Sequence, residues 1–297
     1  MLSEEVRKYD FKTVINCAAS VKHFADLNFL MEANVELVDK VIELCLETGA
    51  RLIHTSTISV GGDIPEDTDE SVKLTEDSLD IGQITETNGY VYTKYLAEQH
   101  VLKAIDEKNL DAKIMRLGNL MSRSSDGEFR MNFSTNNFFR TLWAYAALGR
   151  VPVSALDEKV EYSPINETAK ALLLLAATGR QFTVFHPYNS HTVEMGDIIQ
   201  SMNLVGFSVK TVGDAEFDER LKKAMADEKL STTVSPLLVY DTGEDANLKE
   251  TPADNSFTTK ALYRLGFKWS LTDMEYLEKA IMQTTDMMID EKAENDL

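Results

Sequence analysis

The chain has 297 residues, 43% of them hydrophobic and 27% charged, a balance that excludes disordered and fibrous classes. Asp and Glu outnumber Lys and Arg by 49 to 30, and the formal charge of -19 argues against a broad nucleic-acid or anionic-membrane surface. Only 14 Gly and 6 Pro leave no room for long linkers, and two cysteines, Cys17 and Cys45, make neither a disulfide framework nor a zinc cluster.

The N-terminus is polar from residue 3 and does not read as a signal peptide. No stretch approaches a membrane span, so a cytoplasmic protein is expected. Thr13–Cys17 (TVINC) reads as a buried strand. A long amphipathic helix follows over Asn28–Thr48, with Leu30, Val35, Val38, Val41, Ile42 and Cys45 along one face and Gly49 as its stop. Arg51–Thr55 (RLIHT) is the next strand. Gly61–Glu86 is a long acidic loop in which Asp69, Glu70, Glu76 and Asp77 read as solvated. Tyr90–Glu107 is helical and Ala112–Leu117 (AKIMRL) is a strand.

The second half is less regular. Helices are expected over Asn136–Leu148, which carries Phe138, Phe139, Trp143 and Tyr145, and over Asn166–Ala177 after Pro164. Gln181–Phe185 reads as a strand and Gly206–Val212 as a short one. Met195–Asn203, Asp214–Asp227, Ser256–Leu265 and Leu271–Asp290 read as helices, with a charged, frayed tail from Glu291. The expected division is residues 1–135 as a ligand-binding α/β part and residues 136–297 as a smaller, mostly helical lobe with segments returning to the sheet.

Strands alternating with helices imply an α/β fold with parallel pairing. Such sheets bind ligands beyond the carboxyl ends of their strands. The informative residues are then Ala18, Ala19 and Ser20 after the first strand, Ser56 and Thr57 after the second, and Gly118 and Asn119 after the third.

Three local patterns carry chemistry. In Asn88–Lys94 (NGYVYTK), Tyr90 and Lys94 stand four apart at the start of a helix and share one face. An ammonium near a phenol favours the phenolate, and the pair can pass a proton to or from a carbonyl oxygen. In Ser56–Val60 (STISV), a hydroxyl at the sheet edge can hold a substrate oxygen. In Asn16–Ser20 (NCAAS), small residues let a flat ring approach the backbone. Each has a plainer reading: a surface i,i+4 pair, a turn-capping hydroxyl, and tight helix–strand packing. Their order and common position at strand ends strengthen the joint case.

These residues, with VINCAASVKHF, ANVELVDKVIELCLETGARLIHTSTISV, GYVYTKYLAEQHV, MRLGNLMSRSSDGEF and VEYSPINETAKALLLLA, resemble the extended short-chain dehydrogenase/reductase family. The resemblance is strongest to the thioester-reductase domains that end nonribosomal peptide synthetases, polyketide synthases and carboxylic acid reductases. It implies a Rossmann-like fold and catalytic roles for Thr57, Tyr90 and Lys94. Thr57 would hold the carbonyl oxygen, Tyr90 donate the proton, and Lys94 bind the nicotinamide ribose and lower the Tyr90 pKa. Ala18, Ala19, Ser20, Gly118 and Asn119 would line the nicotinamide side, with Asn34 as a structural asparagine. Leu117 stands where the family has proline. The implied cofactor is NADPH, or NADH. The implied partner is an acyl or peptidyl carrier domain with its phosphopantetheine arm, and the product an aldehyde or alcohol. The aromatic helix Asn136–Leu148 would shape the acyl pocket, unless its rings are core.

The Gly-x-x-Gly-x-x-Gly turn of that family is absent from the sequence. The resemblance therefore implies an incomplete sheet lacking about 60 to 80 upstream residues. Its open edge would be covered by other polypeptide or by a second copy of the chain, and the chain alone would be inactive. Two alternatives stand beside the thioester reductase: a sugar-nucleotide epimerase or dehydratase of the same superfamily, and a non-catalytic interaction module. The histidines offer no metal site. His23 and His54 flank the presumed cofactor edge, His54 reading as a packed neutral ring, and His186 and His191 lack further ligands nearby.

Overall fold

The computed structural model describes residues 8–22, 25–129, 136–238 and 247–295, with side chains described as far as residue 285. In chain order the first elements are β1 (Thr13–Asn16), α1 (Leu27–Met31), a π-helical turn (Glu32–Glu36), α2 (Leu37–Thr48), β2 (Arg51–Thr57) and β3 (Asp63–Pro65). Next come α3 (Gly89–Lys108), β4 (Ala112–Leu117), β5 (Leu120–Met121), α4 (Asn137–Leu148), β6 (Arg150–Pro152), β7 (Lys159–Val160), β8 (Ser163–Pro164) and α5 (Ile165–Ala176). The rest are β9 (Val184–Phe185), β10 (Val193–Glu194), α6 (Met195–Leu204), β11 (Lys210–Val212), α7 (Asp214–Met225), α8 (Ser231–Val234), β12 (Leu248–Glu250), α9 (Ser256–Arg264) and α10 (Met274–Asn295).

The chain forms two compact units. The first comprises residues 1–118, 168–188 and 247–268, and the second residues 119–167, 189–246 and 269–297. The first break thus follows Gly118, earlier than the 135/136 boundary read from the sequence, because Leu120–Met121 pairs with Ser163–Pro164 inside the second unit.

The first unit is built on a parallel sheet of order β1-β2-β4-β9. Its register pairs Asn16 with His54, Ser56 with Arg116, and Met115 with Phe185. Helices α2 and α3 pack Val38, Ile42, Cys45, Ala97, Val101 and Ala104 against Leu52, Ala112 and Ile114. Side-chain caps set the helix starts: Asp26 accepts from the Asn28 and Phe29 amides, and Asn88 from the Tyr90 and Val91 amides. Gly49, at φ 69°, ends α2 in the left-handed conformation. The expected helix over Asn28–Thr48 is continuous but widens to π geometry around the buried Asn34. The expected strand Gln181–Phe185 is paired only at Val184–Phe185.

The acidic loop is not wholly solvated. β3 pairs antiparallel with β12, and Glu76 accepts from the amide and hydroxyl of Thr258 at 2.9 and 2.6 Å, capping α9. Gly62 makes the turn at φ 54°, where an added Cβ would stand 2.3 Å from the Ile84 carbonyl oxygen.

The second unit is mainly helical. Phe139, Leu142 and Tyr145 of α4 enter one core with Ile198, Met202, Phe217, Leu221, Leu277 and Ile281, and Phe138 and Trp143 pack against it. Edge contacts run from Phe139 through Phe138 to Tyr162 and Tyr276. The aromatic helix is therefore core material, the plainer of its two readings. Helix α10 continues through Asn295, past the expected fraying at Glu291.

Candidate active site

Strand β2 runs to Thr57, two residues beyond the expected Thr55, and so alternates its last side chains across the sheet. Ser56 is buried and its hydroxyl has no hydrogen-bond partner. Thr57 lies on the opposite side and is hydrogen-bonded to the Tyr90 phenol. Its Oγ1 also accepts from the Ser59 amide and lies 3.2 Å from Ser59 Oγ, which fixes its rotamer. Burial raises the Tyr90 pKa and the Thr57 contact partly offsets this. The expected lowering of that pKa by Lys94 is thus not what the surroundings produce; the phenol stays protonated at neutral pH.

Lys94 is 3% exposed, and its Nζ donates to the Thr55 carbonyl oxygen at 2.6 Å. Burial draws the ammonium down to about 8, against a smaller upward pull from Glu98 and Cys17. One of its three N–H groups is spent on Thr55, and two remain for a ligand or the phenol. Thr57, Tyr90 and Lys94 thus meet at the carboxyl end of β2.

Ala18 and Ala19 are exposed at the carboxyl end of β1. Ser20 is held by Asn34, whose Oδ1 accepts from the Ser20 amide at 2.7 Å and whose Nδ2 donates to the Ser20 carbonyl at 3.0 Å. The same Nδ2 reaches Thr93 Oγ1 at 3.1 Å, between Tyr90 and Lys94 in sequence. Gly118 follows β4 in the first unit, whereas Asn119 belongs to the second. There the Asn119 amide donates to the Glu161 carboxylate, and its side chain reaches the Glu161 carbonyl. Burial lifts Glu161 to about 7, making it a titratable carboxyl that sequence reasoning missed. Nothing in the pattern VEYSP marks it, since its burial arises from distant packing.

His54 is fully buried with its pKa lowered well below the usual range, first by burial and then by Lys94, matching the packed neutral ring expected of it. His186 accepts from Arg116 through Nε2, and His23 lies outside the described residues. Among the described residues no group of His, Cys, Asp and Glu has the arrangement of a metal site. No helix among them is long and apolar enough to cross a membrane.

The male sterility protein family, of NAD-binding domains, matches residues 3–172, more than half of the sequence. The chain belongs to that family. The expected resemblance to terminal reductase domains is also seen in solved structures. A thiolation-reductase di-domain from an archaeal nonribosomal peptide synthetase superposes with TM-score 0.84 at 30% identity, over 96% of this chain and 60% of that one. A linear gramicidin synthase polypeptide of Brevibacillus parabrevis is 25% identical over 215 residues, 70% of this chain and 4% of that protein. ADP-L-glycero-D-manno-heptose-6-epimerase of Nitratidesulfovibrio vulgaris is 35% identical over 95 residues, 32% of this chain and 26% of that one. This chain thus covers only part of the length of these relatives.

The residues present fit one end of a nicotinamide dinucleotide. Two exposed alanines leave space at the strand edge, and a buried lysine with unspent donors suits a ribose hydroxyl. They do not supply the pyrophosphate seat, since no Gly-x-x-Gly-x-x-Gly turn occurs in the sequence.

Proposed function

We propose that the chain is the catalytic and substrate-binding part of an NADPH-dependent thioester reductase. Its substrate would be an acyl or peptidyl group on the phosphopantetheine arm of a carrier domain, released as an aldehyde or alcohol. The observation that carries this reading is the Thr57–Tyr90 hydrogen bond together with the buried Lys94 tied to Thr55 of the same strand, β2.

When bound, the dinucleotide supplies a hydride. Thr57 and Tyr90 orient the thioester carbonyl oxygen and stabilise the negative charge that develops there. Tyr90, whose pKa is raised, is the proton donor. Lys94, an ammonium below about 8, holds a ribose hydroxyl. Ala18 and Ala19 would leave room for the ring, Gly118 would be a further lining residue, and NADH is the other candidate donor.

Strand β1 has one neighbour, β2, among the described residues, and Ile15 on it is 42% exposed. This supports a working form in which further strands carrying the glycine-rich turn, or a second copy, cover that edge. Its location would be cytoplasmic. The 95-residue match favours, as a second reading, a sugar-nucleotide epimerase of the same superfamily.

The deciding assay offers the full-length protein acyl-carrier thioesters and nucleotide sugars in parallel. Aldehyde or alcohol from the thioester is expected; conversion of the sugar alone refutes the proposal. Calorimetric titration of the present chain with NADPH and with NADH tests the missing seat. No heat of binding is expected, and micromolar affinity would refute that part.

A further inference from the structure

Helix α3 meets the sheet through a polar stripe. Tyr90, Lys94 and Glu98 follow at intervals of four and lie along one face. Lys94 is tied to Thr55 of β2. One turn further, Glu98 receives a guanidinium fork from Arg116 of β4: Nε stands 3.1 and 3.0 Å from the two carboxylate oxygens and Nη2 stands 2.8 Å from Oε2. Both residues are fully buried. Arg116 Nη1 donates to the carbonyl oxygens of Thr75 and Ser78 at 3.0 and 2.8 Å and to His186 Nε2 at 3.1 Å.

Apolar contact is non-directional, so the Ala97 and Val101 packing alone lets the helix roll or slide at small cost. A bidentate fork fixes two atoms in one plane and removes that freedom. Its anchor is well placed. Arg116 pairs in register with Ser56, and its neighbour Leu117 pairs with Thr57.

We propose that Glu98 and Arg116 are positioning residues for Tyr90 and Lys94: their buried fork sets the roll and height of α3 against β2 and β4, and so fixes where phenol and ammonium stand beside Thr57. The inference rests on the reading of Tyr90 and Lys94 as the reacting pair, yet its test needs no turnover. The titratable groups facing Lys94 are Glu98 on its own helix, the Cys17 thiol after β1 and His54 on β2. Glu98 raises the Lys94 pKa against burial. Lys113, on β4, is an internal control. Burial draws it down to about 8 as well, and it is held by the Gly179 and Phe182 carbonyl oxygens.

The experiment is an NMR titration of the chain labelled in its lysine side chains, with Lys94→Arg and Lys113→Arg for assignment. In Arg116→Lys, which keeps both charges but loses the bidentate fork, the Lys94 midpoint should move by about one pH unit, with Lys113 moving by less than about 0.2. A folded variant in which Lys94 does not move overturns the proposal, as does an equal shift of both lysines, which reports general loosening. Should Arg116→Lys fail to fold, hydrogen exchange of the wild-type chain decides. Amides of residues 94–98 and 115–116 should open together, with protection within about threefold. Exchange of the α3 amides more than about tenfold faster than those of β4 overturns it. The expected Lys94 shift without any thioester reduction by the full-length protein would leave the positioning role standing and reject the proposed function.

Discussion

Asn34→Ala tests how the site is held together. The side chain is 1% exposed and makes three hydrogen bonds: two to the Ser20 backbone and one to Thr93 Oγ1. Thr93 keeps its own acceptors at Gly89 and Tyr90, so the loss there is small. The Ser20 amide and carbonyl lose their partner in a partly buried position, at about 1 kcal/mol each once water access is allowed for. The small void left in the π-helical turn adds to this, for a total of about 2 to 3 kcal/mol. Urea unfolding should show this as a lower midpoint with an unchanged slope. Hydrogen exchange at Ser20 should quicken more than exchange at Ile114, on the neighbouring strand β4. A loss below about 0.5 kcal/mol, within the range of ordinary surface substitutions, would refute the claim that Asn34 fastens the β1 exit to α3.

Gly62→Ala should destabilise the protein by more than about 2 kcal/mol, because left-handed strain adds to a backbone clash with Ile84. Gly49→Ala has a similar φ but open space around it, and should cost only about 1 kcal/mol; equal losses in urea unfolding would contradict the clash argument. Burial, and then Arg116, depress His186 to about 4, so between pH 6.5 and 4 the unfolded state binds a proton that the folded state does not. Stability from this residue is complete above about 6.5 and lost as pH falls towards 4, by about 3 kcal/mol in all. His186→Gln should flatten that part of the unfolding profile, and an unchanged slope would show that other groups dominate. In the working form proposed above, Tyr90→Phe should lower the proposed thioester reduction by at least about 100-fold with an unaltered circular dichroism spectrum, and wild-type turnover would reject the proton-donor role.

Local pattern is enough for α3 and β4, whose ends are marked by the Asn88 cap and by a run of apolar residues. Thr57, Tyr90 and Lys94 each carry only a weak local signal, and their order along the chain together with the family resemblance singles them out as candidates. What escapes depends on partners far along the chain. Arg116 looks like an interruption in AKIMRL, and Glu98 like an exposed helix residue; each is explained only by the other and by Thr75, Ser78 and His186. Glu76 reads as a solvated acid because its partner, Thr258, lies 182 residues away. Two-residue strands such as β5 and β8 hold no period to detect. Asn119 can be placed after β4 but not assigned to the second unit, because the pairing that draws it there is with Glu161.

The first unit is stitched from three separate stretches, and this sets an order on its birth. During synthesis β1, β2 and β4 emerge before their later partners: β4 must wait for β9 at Val184, and Glu76 must wait for Thr258. Until then the nascent sheet carries an unsatisfied flank while the ribosome is still making the second unit. Such a chain is exposed to wrong pairing during translation, and should depend on chaperone capture more than a domain with contiguous sequence. Release of a product ending before residue 247 would leave the Tyr90 helix attached to a half-finished scaffold.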